Sequence, residues 1–354
     1  MVSGTVLVTG GAGFIGSRIV DSLIETGSRV RVLDSLHPLA HRGRPSYINP
    51  DAEYIWGDLR DHDAVARAVV GVDAVSHQGS MVGLGSDPTD VDAYVDHNDN
   101  GTAVLLRGLY DSGFTGRIVL AGSMVVYGEG RYRCREHGVV GAPPRRRSDL
   151  VAGHFEPGCP HCQAGLAPEP VPESQTPDPR NFYAATKLHQ EHLCSAWARE
   201  TSNQSVALRY HNVYGPRMPR DTPYAGVASI FRSALEAGRA PRVFEDGGQL
   251  RDFVHVGDIA RANLLALGSE RPIEGAFNIG SGQRRPISEL ASELAGTIGG
   301  PQPLISGEYR LGDVRHVFAS ISKAESILGY SPTHGFADGV REFATAELRA
   351  PAAD

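Results

Sequence analysis

Tyr183 and Lys187 stand in the stretch Asn181-Phe-Tyr-Ala-Ala-Thr-Lys187, ahead of a run, 188–201, that is free of Pro and Gly and reads as helix. Residues at i and i+4 share a helix face. The spacing therefore puts the Lys187 ammonium near the Tyr183 hydroxyl. A nearby cation favours phenolate and lowers a phenol pKa from about 10. Such a pair can act as general base and acid. An exposed helix pair has the same spacing, so the chemistry depends on whether the rest of the chain supplies a cofactor, a substrate seat and a second hydroxyl. Ser123 directly follows the strand-like run Arg117-Ile-Val-Leu-Ala121. It is a candidate donor to a substrate oxygen, or a backbone cap.

A second constellation lies between Ser123 and Tyr183. Residues 129–180 are proline-rich and contain Cys134-Arg-Glu-His137 and Cys159-Pro-His-Cys162. A Cys-x2-His pair followed by a Cys-x2-Cys pair matches a closed four-ligand structural zinc site. Cys134, His137, Cys159 and Cys162 are the candidate ligands, with His154 and His161 in reserve. A polar insertion of this kind has little core of its own, so metal would supply its folding energy. An unmetallated loop with reduced thiols is the other reading. Cys194 lies outside the cluster and reads as packing.

The elements that must position these groups begin at the N-terminus. Thr5-Val-Leu-Val-Thr9 reads as a buried strand. It feeds Gly10-Gly-Ala-Gly13-Phe14-Ile15-Gly16 and then an amphipathic helix with Ile19, Val20, Leu23 and Ile24 apolar. Gly10 permits the tight turn, Gly13 the approach of a pyrophosphate, and Gly16 close helix–strand packing. Asp34 ends the next strand, placed to accept from a ribose 2′-hydroxyl and to repel a 2′-phosphate. NAD is the expected cofactor. Strand and helix patterns continue to alternate, which predicts an α/β fold: a Rossmann-type doubly wound parallel sheet. Asp34, Asp58, residues 76–82 and Ser123 fall at carboxyl ends of strands and line one crevice. Asp90 to Ser112 reads as one long helix, and Ala225–Ala237 as another. The expected division is an NAD-binding domain over 1–210, carrying the insertion 129–180, and a smaller mixed α/β substrate-binding lobe over 211–348, with 251–280 returning to the first domain. In that lobe Arg217, Arg251 and Arg315 are candidate phosphate forks. Residues 348–354 read as frayed.

The chain has 354 residues, 41% hydrophobic and 21% charged, with a formal net charge of −7. The negative balance disfavours nucleic acid as the main partner. No apolar run approaches a membrane span, and the N-terminus lacks the basic region of a signal peptide. A cytoplasmic protein is expected.

In its motifs the chain resembles the extended short-chain dehydrogenase/reductase family, in the nucleotide-sugar epimerase/dehydratase branch. The matching residues are Thr9-Gly-Gly-Ala-Gly-Phe-Ile-Gly16, Gly57-Asp-Leu59, Asn98-Asp-Asn-Gly-Thr102, Ser123-x3-Tyr127-Gly128, Tyr183-x3-Lys187, Arg209-Tyr-His-Asn-Val-Tyr-Gly-Pro216 and Arg251-Asp-Phe-Val-His-Val256. The resemblance implies that Tyr183 is the general base, with Lys187 lowering its pKa and holding the nicotinamide ribose. It implies that Ser123 bonds the reacting sugar oxygen, Asp58 and Leu59 flank the adenine, Asn98 helps position the cofactor, and Asn212 and Arg251 hold a nucleotide diphosphate. It also implies a homodimer through helices near Ala103–Tyr110 and Tyr183–Trp197. Met124-Val125 stands where dehydratases of the family carry an acidic pair, and decarboxylases carry Glu in the place of Val125. His77-Gln-Gly-Ser80 departs from the usual sequence after the fourth strand. The expected activity is NAD-dependent epimerisation of a nucleotide sugar at C4, through a 4-keto sugar. The alternatives are a nucleotide-4-keto-sugar reductase and a non-catalytic NAD-sensing protein.

Overall fold

The computed structural model describes residues 4–83, 88–220 and 226–349. Val6, Leu7 and Val8 of strand Thr5–Thr9 are fully buried, as a parallel sheet covered on both faces requires. The sheet has seven strands, all parallel. Their spatial order is Gly275–Ile279, Gln204–Tyr210, Arg117–Ser123, Ala74–His77, Thr5–Thr9, Arg29–Asp34, Glu53–Trp56. From Thr5–Thr9 the chain runs outward through two strands, then returns to the other side of it at Ala74–His77. A ligand crevice forms beyond the carboxyl ends at such a reversal.

Helices Phe14–Glu25 and Val256–Leu267 cover one face through Ile19, Val20, Leu23, Ile259 and Ala262. Helices His62–Ala68, Gly101–Asp111 and Phe182–Thr201 cover the other through Val65, Leu105, Leu109 and Cys194. Cys194 is thus a packing residue. The helix bearing Tyr183 begins at Phe182, ahead of the expected Leu188, because Asn181 caps it by accepting from the Ala184 amide at 2.8 Å. Tyr183 therefore lies in the first turn and Lys187 one turn later. The stretch expected as one helix over 90–112 is broken. Val91–Tyr94 is α-helical, Val95–Asn100 forms a π-helical turn, and Gly101–Asp111 resumes the α-helix. Wide turns of this kind re-aim side chains, and here Asn98 is fully buried.

The second lobe pairs Leu250–His255 with Asn212–Tyr214, Arg284–Pro286 and His316–Val317. Helices Val227–Glu236, Ile287–Ile298 and Phe336–Thr345 close its core around Phe231, Leu290, Leu294 and Phe343. Ala225, the expected start of the first of these helices, lies outside the described residues. The strand Leu250–His255 takes its hydrogen bonds from this lobe, while its Val254 is buried in the core of the large sheet. Leu348 is buried in the lobe core, so 348 and 349 are ordered by packing where fraying was expected; 350–354 lie outside the described residues.

The insertion is better built than its proline content suggests. Strand Arg131–Cys134 pairs antiparallel with Gly138–Val140 and Ala167–Glu169. Tyr132, Cys134, Val140, Ala142, Cys159 and Leu166 form a small core. It docks on 313–319, where Val171 bridges to Ala319 and Glu156 holds Arg315 and His316.

Glu129 lies at that seam, accepting from the Arg315 amide at 2.7 Å. Burial pushes its pKa up to about 7, against the opposing pull of the Arg315 amide and of Arg145, Arg251 and Arg180. The folded protein therefore favours the protonated form. The stability this contributes is complete at low pH and is lost as pH rises through about 7. Glu129→Gln keeps the acceptor without the charge. Its melting temperature should gain on the parent's between pH 5 and pH 8, by the equivalent of at most about 3 kcal/mol. Parallel melting curves for the two proteins across that range would contradict this.

Candidate active site and cofactor cleft

A cleft of about 410 Å³ opens over the glycine turn and ends at Tyr183 and Lys187. Gly10 takes a φ of +65°, and a Cβ there would meet the Gly79 backbone at 2.9 Å. A Cβ on Gly16 would lie 2.2 Å from the Gly10 carbonyl oxygen. The turn is thus closed to any side chain at these positions, and Gly13, Phe14 and Ile15 line the cleft beside it. Asp34 accepts from the Ala12 amide at 2.9 Å and the Leu36 amide at 2.8 Å. Burial raises its pKa, and those two amides oppose the shift. Its carboxylate is fixed against the turn where a ribose hydroxyl would lie. Leu59 and Asp58 line the far end. Arg60 binds Asp58 at 2.8 Å and also reaches Asp96, and its hydrogen bond holds the Asp58 carboxyl below its usual range. The motif reading missed this Arg60 clamp and also missed Gly79, where a Cβ would collide with Leu59.

Asn98 does not line the cleft. Its side chain accepts from Ser80 Oγ at 2.8 Å and the Met81 amide at 2.7 Å, and donates to Thr186 Oγ1 at 3.0 Å. It ties the loop after the fourth strand to the helix of Tyr183, so it acts by positioning. The unusual His77-Gln-Gly-Ser80 has a structural basis too. His77 bridges Thr9 and Thr102 at 2.8 and 3.0 Å, and burial pushes its pKa down to about 3. Gln78 accepts from Tyr210 and donates to Ser76.

Ser123 ends its strand, accepts from the Val125 amide at 3.4 Å, and lies beside the Tyr183 hydroxyl. Burial pushes the Tyr183 pKa up to about 12, with the Ser123 contact opposing. Lys187 donates to the Ala121 carbonyl at 3.0 Å, its Nζ 6.0 Å from the Tyr183 ring centroid. Burial pushes its own pKa down to about 8. The expected lowering of the Tyr183 pKa by Lys187 is therefore absent from this geometry. Desolvation of the phenol outweighs a cation that faces a carbonyl.

The three candidate phosphate forks all have other partners. Arg217 lies on the cofactor side, 2.7 Å from Asp21 and 4.7 Å above the Tyr47 ring. Arg251 is buried and donates to the Leu250, Arg315 and Val314 carbonyls at 2.7–2.9 Å. Arg315 is 2% exposed and spends its donors on Glu156, Glu245 and Asp246 at 2.8–2.9 Å. Arg251 and Arg315 pin 313–317 to the lobe instead of offering forks to solvent. Asn212 does present a buried Oδ1 with no hydrogen-bond partner.

Cys134, His137, Cys159 and Cys162 converge, with all four potential ligand atoms within 4.8 Å of one another. Cys134 Sγ is 3.7 Å from Cys162 Sγ and 3.6 Å from His137 Nδ1, and Cys159 Sγ is 3.6 Å from the same nitrogen. A tetrahedron with zinc–sulfur arms of about 2.3 Å has edges of about 3.8 Å. His154 and His161 stand outside the group, the His161 ring tilted at 43° to that of His137 with ring centroids 5.0 Å apart.

The sequence matches the NAD dependent epimerase/dehydratase family model over residues 6–149 and 159–280. The chain belongs to that family. Among its relatives, dTDP-L-rhamnose 4-epimerase of Burkholderia thailandensis is 33% identical over 96% of this chain and 94% of its own. The UDP-glucose 4-epimerase of Thermotoga maritima, solved with UDP-glucose, superposes with a TM-score of 0.78 at 29% identity, covering 96% of this chain and 97% of that one. The Thermus thermophilus UDP-glucose 4-epimerase in complex with NAD gives 0.76 at 30% identity over the same shares.

Within this epimerase/dehydratase fold, two side chains beside Ser123 define which chemistry is available. Met124 and Val125 lie in a short 3-10 turn, and Met124 packs against Val126, Tyr127 and Val171. Neither can give a proton to a leaving hydroxyl. The family residues Tyr127 and Arg209 prove to be structural. Arg209 joins Glu191 at 2.7 Å and the Tyr127 hydroxyl at 2.8 Å, and that hydroxyl donates to Asn278 at 2.7 Å. No helix among the described residues is long and apolar enough to cross a membrane.

Proposed function

We propose that this protein epimerises a nucleotide-activated sugar at C4 through a 4-keto sugar, using NAD that it keeps bound. The observation that carries the reading is the Ser123–Tyr183 pair at the end of a cleft whose glycine turn and Asp34 fit a dinucleotide, with Met124 and Val125 in place of an acid. When bound, NAD supplies a hydride acceptor that takes and returns the C4 hydrogen and a positive ring that favours phenolate. The chain's own part is to orient and to move a proton. Ser123 fixes the C4 oxygen, and Tyr183 takes its proton and gives it back. Lys187 holds the cofactor ribose, Asn98 keeps the loop and helix in register, and Asn212 receives the nucleotide. The names of the relatives support C4 as the carbon. Nucleotide hexoses incubated with the purified protein, with no added nicotinamide, should yield C4 epimers by NMR. Turnover that consumes stoichiometric NADH and forms no epimer would overturn the reading in favour of a reductase.

The reading includes action in the cytoplasm and a homodimer through helices Gly101–Asp111 and Phe182–Thr201, on which Tyr110 is 64% exposed. It also includes structural zinc on Cys134, His137, Cys159 and Cys162, supported by edge lengths that fit a tetrahedral ion. Protein purified without chelator should carry about one zinc per chain. Cys162→Ser should lose it and melt earlier, because metal binding is part of the insertion's folding free energy. Zinc well below one per chain, or an unchanged melt, would remove the metal from this account.

A further inference from the structure

The segment 347–349 does something the proposed chemistry does not account for. Residues 347–349 run alongside 217–220: the Arg217 amide donates to Glu347 at 3.0 Å, the Arg349 amide to Met218 at 3.0 Å, and the Arg220 amide to Arg349 at 3.0 Å. Leu348 anchors the segment in the lobe core. The strap so formed carries the Arg349 side chain back across the molecule to line the cofactor cleft. One guanidinium nitrogen lies 3.9 Å from where a Gly13 Cβ would be, directly over the turn that closes on a pyrophosphate. The guanidinium lies beside the Tyr47 hydroxyl, and Tyr47 donates to the Ala12 carbonyl at 3.0 Å. Arg349 Nε is buried and has no hydrogen-bond partner. Among the described residues no carboxylate lies within ion-pair distance of it. Arg217, on the strap's neighbour, lies over the Tyr47 ring at 4.7 Å. Two cations thus lie against one tyrosine at the glycine turn; Arg217 pairs with Asp21 at 2.7 Å, and Arg349 lies close enough to Asp34 to act on its charge.

We propose that Arg349 is a cofactor-binding residue, donating to the dinucleotide pyrophosphate, and that the C-terminal strap is the latch that keeps NAD bound between turnovers. This rests on the reading of the cleft as an NAD site. A planar fork with an unused buried donor matches phosphate oxygens. An enzyme that returns hydride to the substrate it came from gains from slow release of its cofactor. A strap tying the lobe to the glycine turn provides a slow step, because the dinucleotide can leave only when the contact opens. The pyrophosphate also gives the unpartnered Arg349 Nε an acceptor.

The test is NAD binding, measured on the full chain without sugar. Arg349→Ala should raise the NAD dissociation constant about 10- to 100-fold, chiefly through a faster off-rate, and leave the protein with less NAD after desalting. Arg349→Lys should recover part of that loss, and the parent's affinity should depend more steeply on salt than the alanine variant's. With NAD saturating, KM for the nucleotide sugar should stay unchanged. Unaltered NAD affinity in Arg349→Ala, with a parent-like melt, would overturn the proposal. So would a loss confined to NADP, which would make Arg349 a reader of a 2′-phosphate. An equal loss in the lysine and alanine variants together with early melting would reduce Arg349 to a structural tie and likewise overturn it. NAD affinity is read without turnover, so a failure of the epimerase assay alone leaves this result standing.

Discussion

Tyr183→Phe should lower turnover by about 10³-fold or more while leaving bound NAD and the melting temperature nearly unchanged. The ring packs beside Tyr94, with centroids 6.2 Å apart, and phenylalanine keeps that contact. Only the hydroxyl is lost, and the side chain beside it is Ser123. Ser123→Ala removes an orienting contact and leaves the base, so its loss should be smaller, about 10- to 100-fold. Burial holds the Tyr183 pKa at about 12 without cofactor. The free protein should therefore show no tyrosinate absorbance at neutral pH, and the phenolate should become accessible only in the NAD complex. Steady-state kinetics on the two variants, with NAD quantified in each preparation, checks the ranking. A Tyr183→Phe protein within tenfold of the parent would refute the assignment of the base.

Arg315→Met should cost about 3–5 kcal/mol of stability, a fall of roughly 5–15 °C in melting temperature. Glu245 is 1% exposed, and its two cationic partners are Arg315 and Arg145, the first at 2.8 Å and the second at 2.7 Å. Removing Arg315 leaves buried negative charge under-compensated and leaves Glu156 of the insertion tied to the lobe by His316 alone of these two partners. A double variant, Arg315→Met with Glu245→Gln, should recover part of the loss, because the two sites couple through one ion network. The same experiment separates two roles for this arginine. A raised KM for the nucleotide sugar with an unchanged melt would restore Arg315 as a phosphate anchor; a lowered melt with KM nearly intact supports the tie seen here.

The parts of the site that could be read from sequence are those governed by local geometry. Gly10 and Gly16 answer to a turn closed to side chains, Asp34 stands at a fixed distance from it, and Tyr183 and Lys187 share a helix capped by the neighbouring Asn181. The cysteine pairs were legible for the same reason, since two residues between ligands is a short-range constraint. The arginines were not. Which group a guanidinium binds depends on what long-range folding brings to it. Glu156 comes from the insertion, and Glu245 and Asp246 come from a loop of the second lobe. Neither is signalled by the residues around Arg251 or Arg315. Lys187 shows the same limit at short range: helix spacing placed it on the right face, but the Ala121 carbonyl of a distant strand decides where its ammonium points. Arg349 was hidden by position, because a terminal segment with no periodicity gives no sign that Leu348 anchors it.

In the proposed reaction the hydrogen removed from C4 returns to C4 without leaving the site. A nucleotide hexose deuterated at C4, incubated with the protein in ordinary water without added nicotinamide, tests this directly. The account predicts that NMR will find deuterium retained at C4 in the inverted sugar. Epimer formed with protium from solvent at C4 would contradict it.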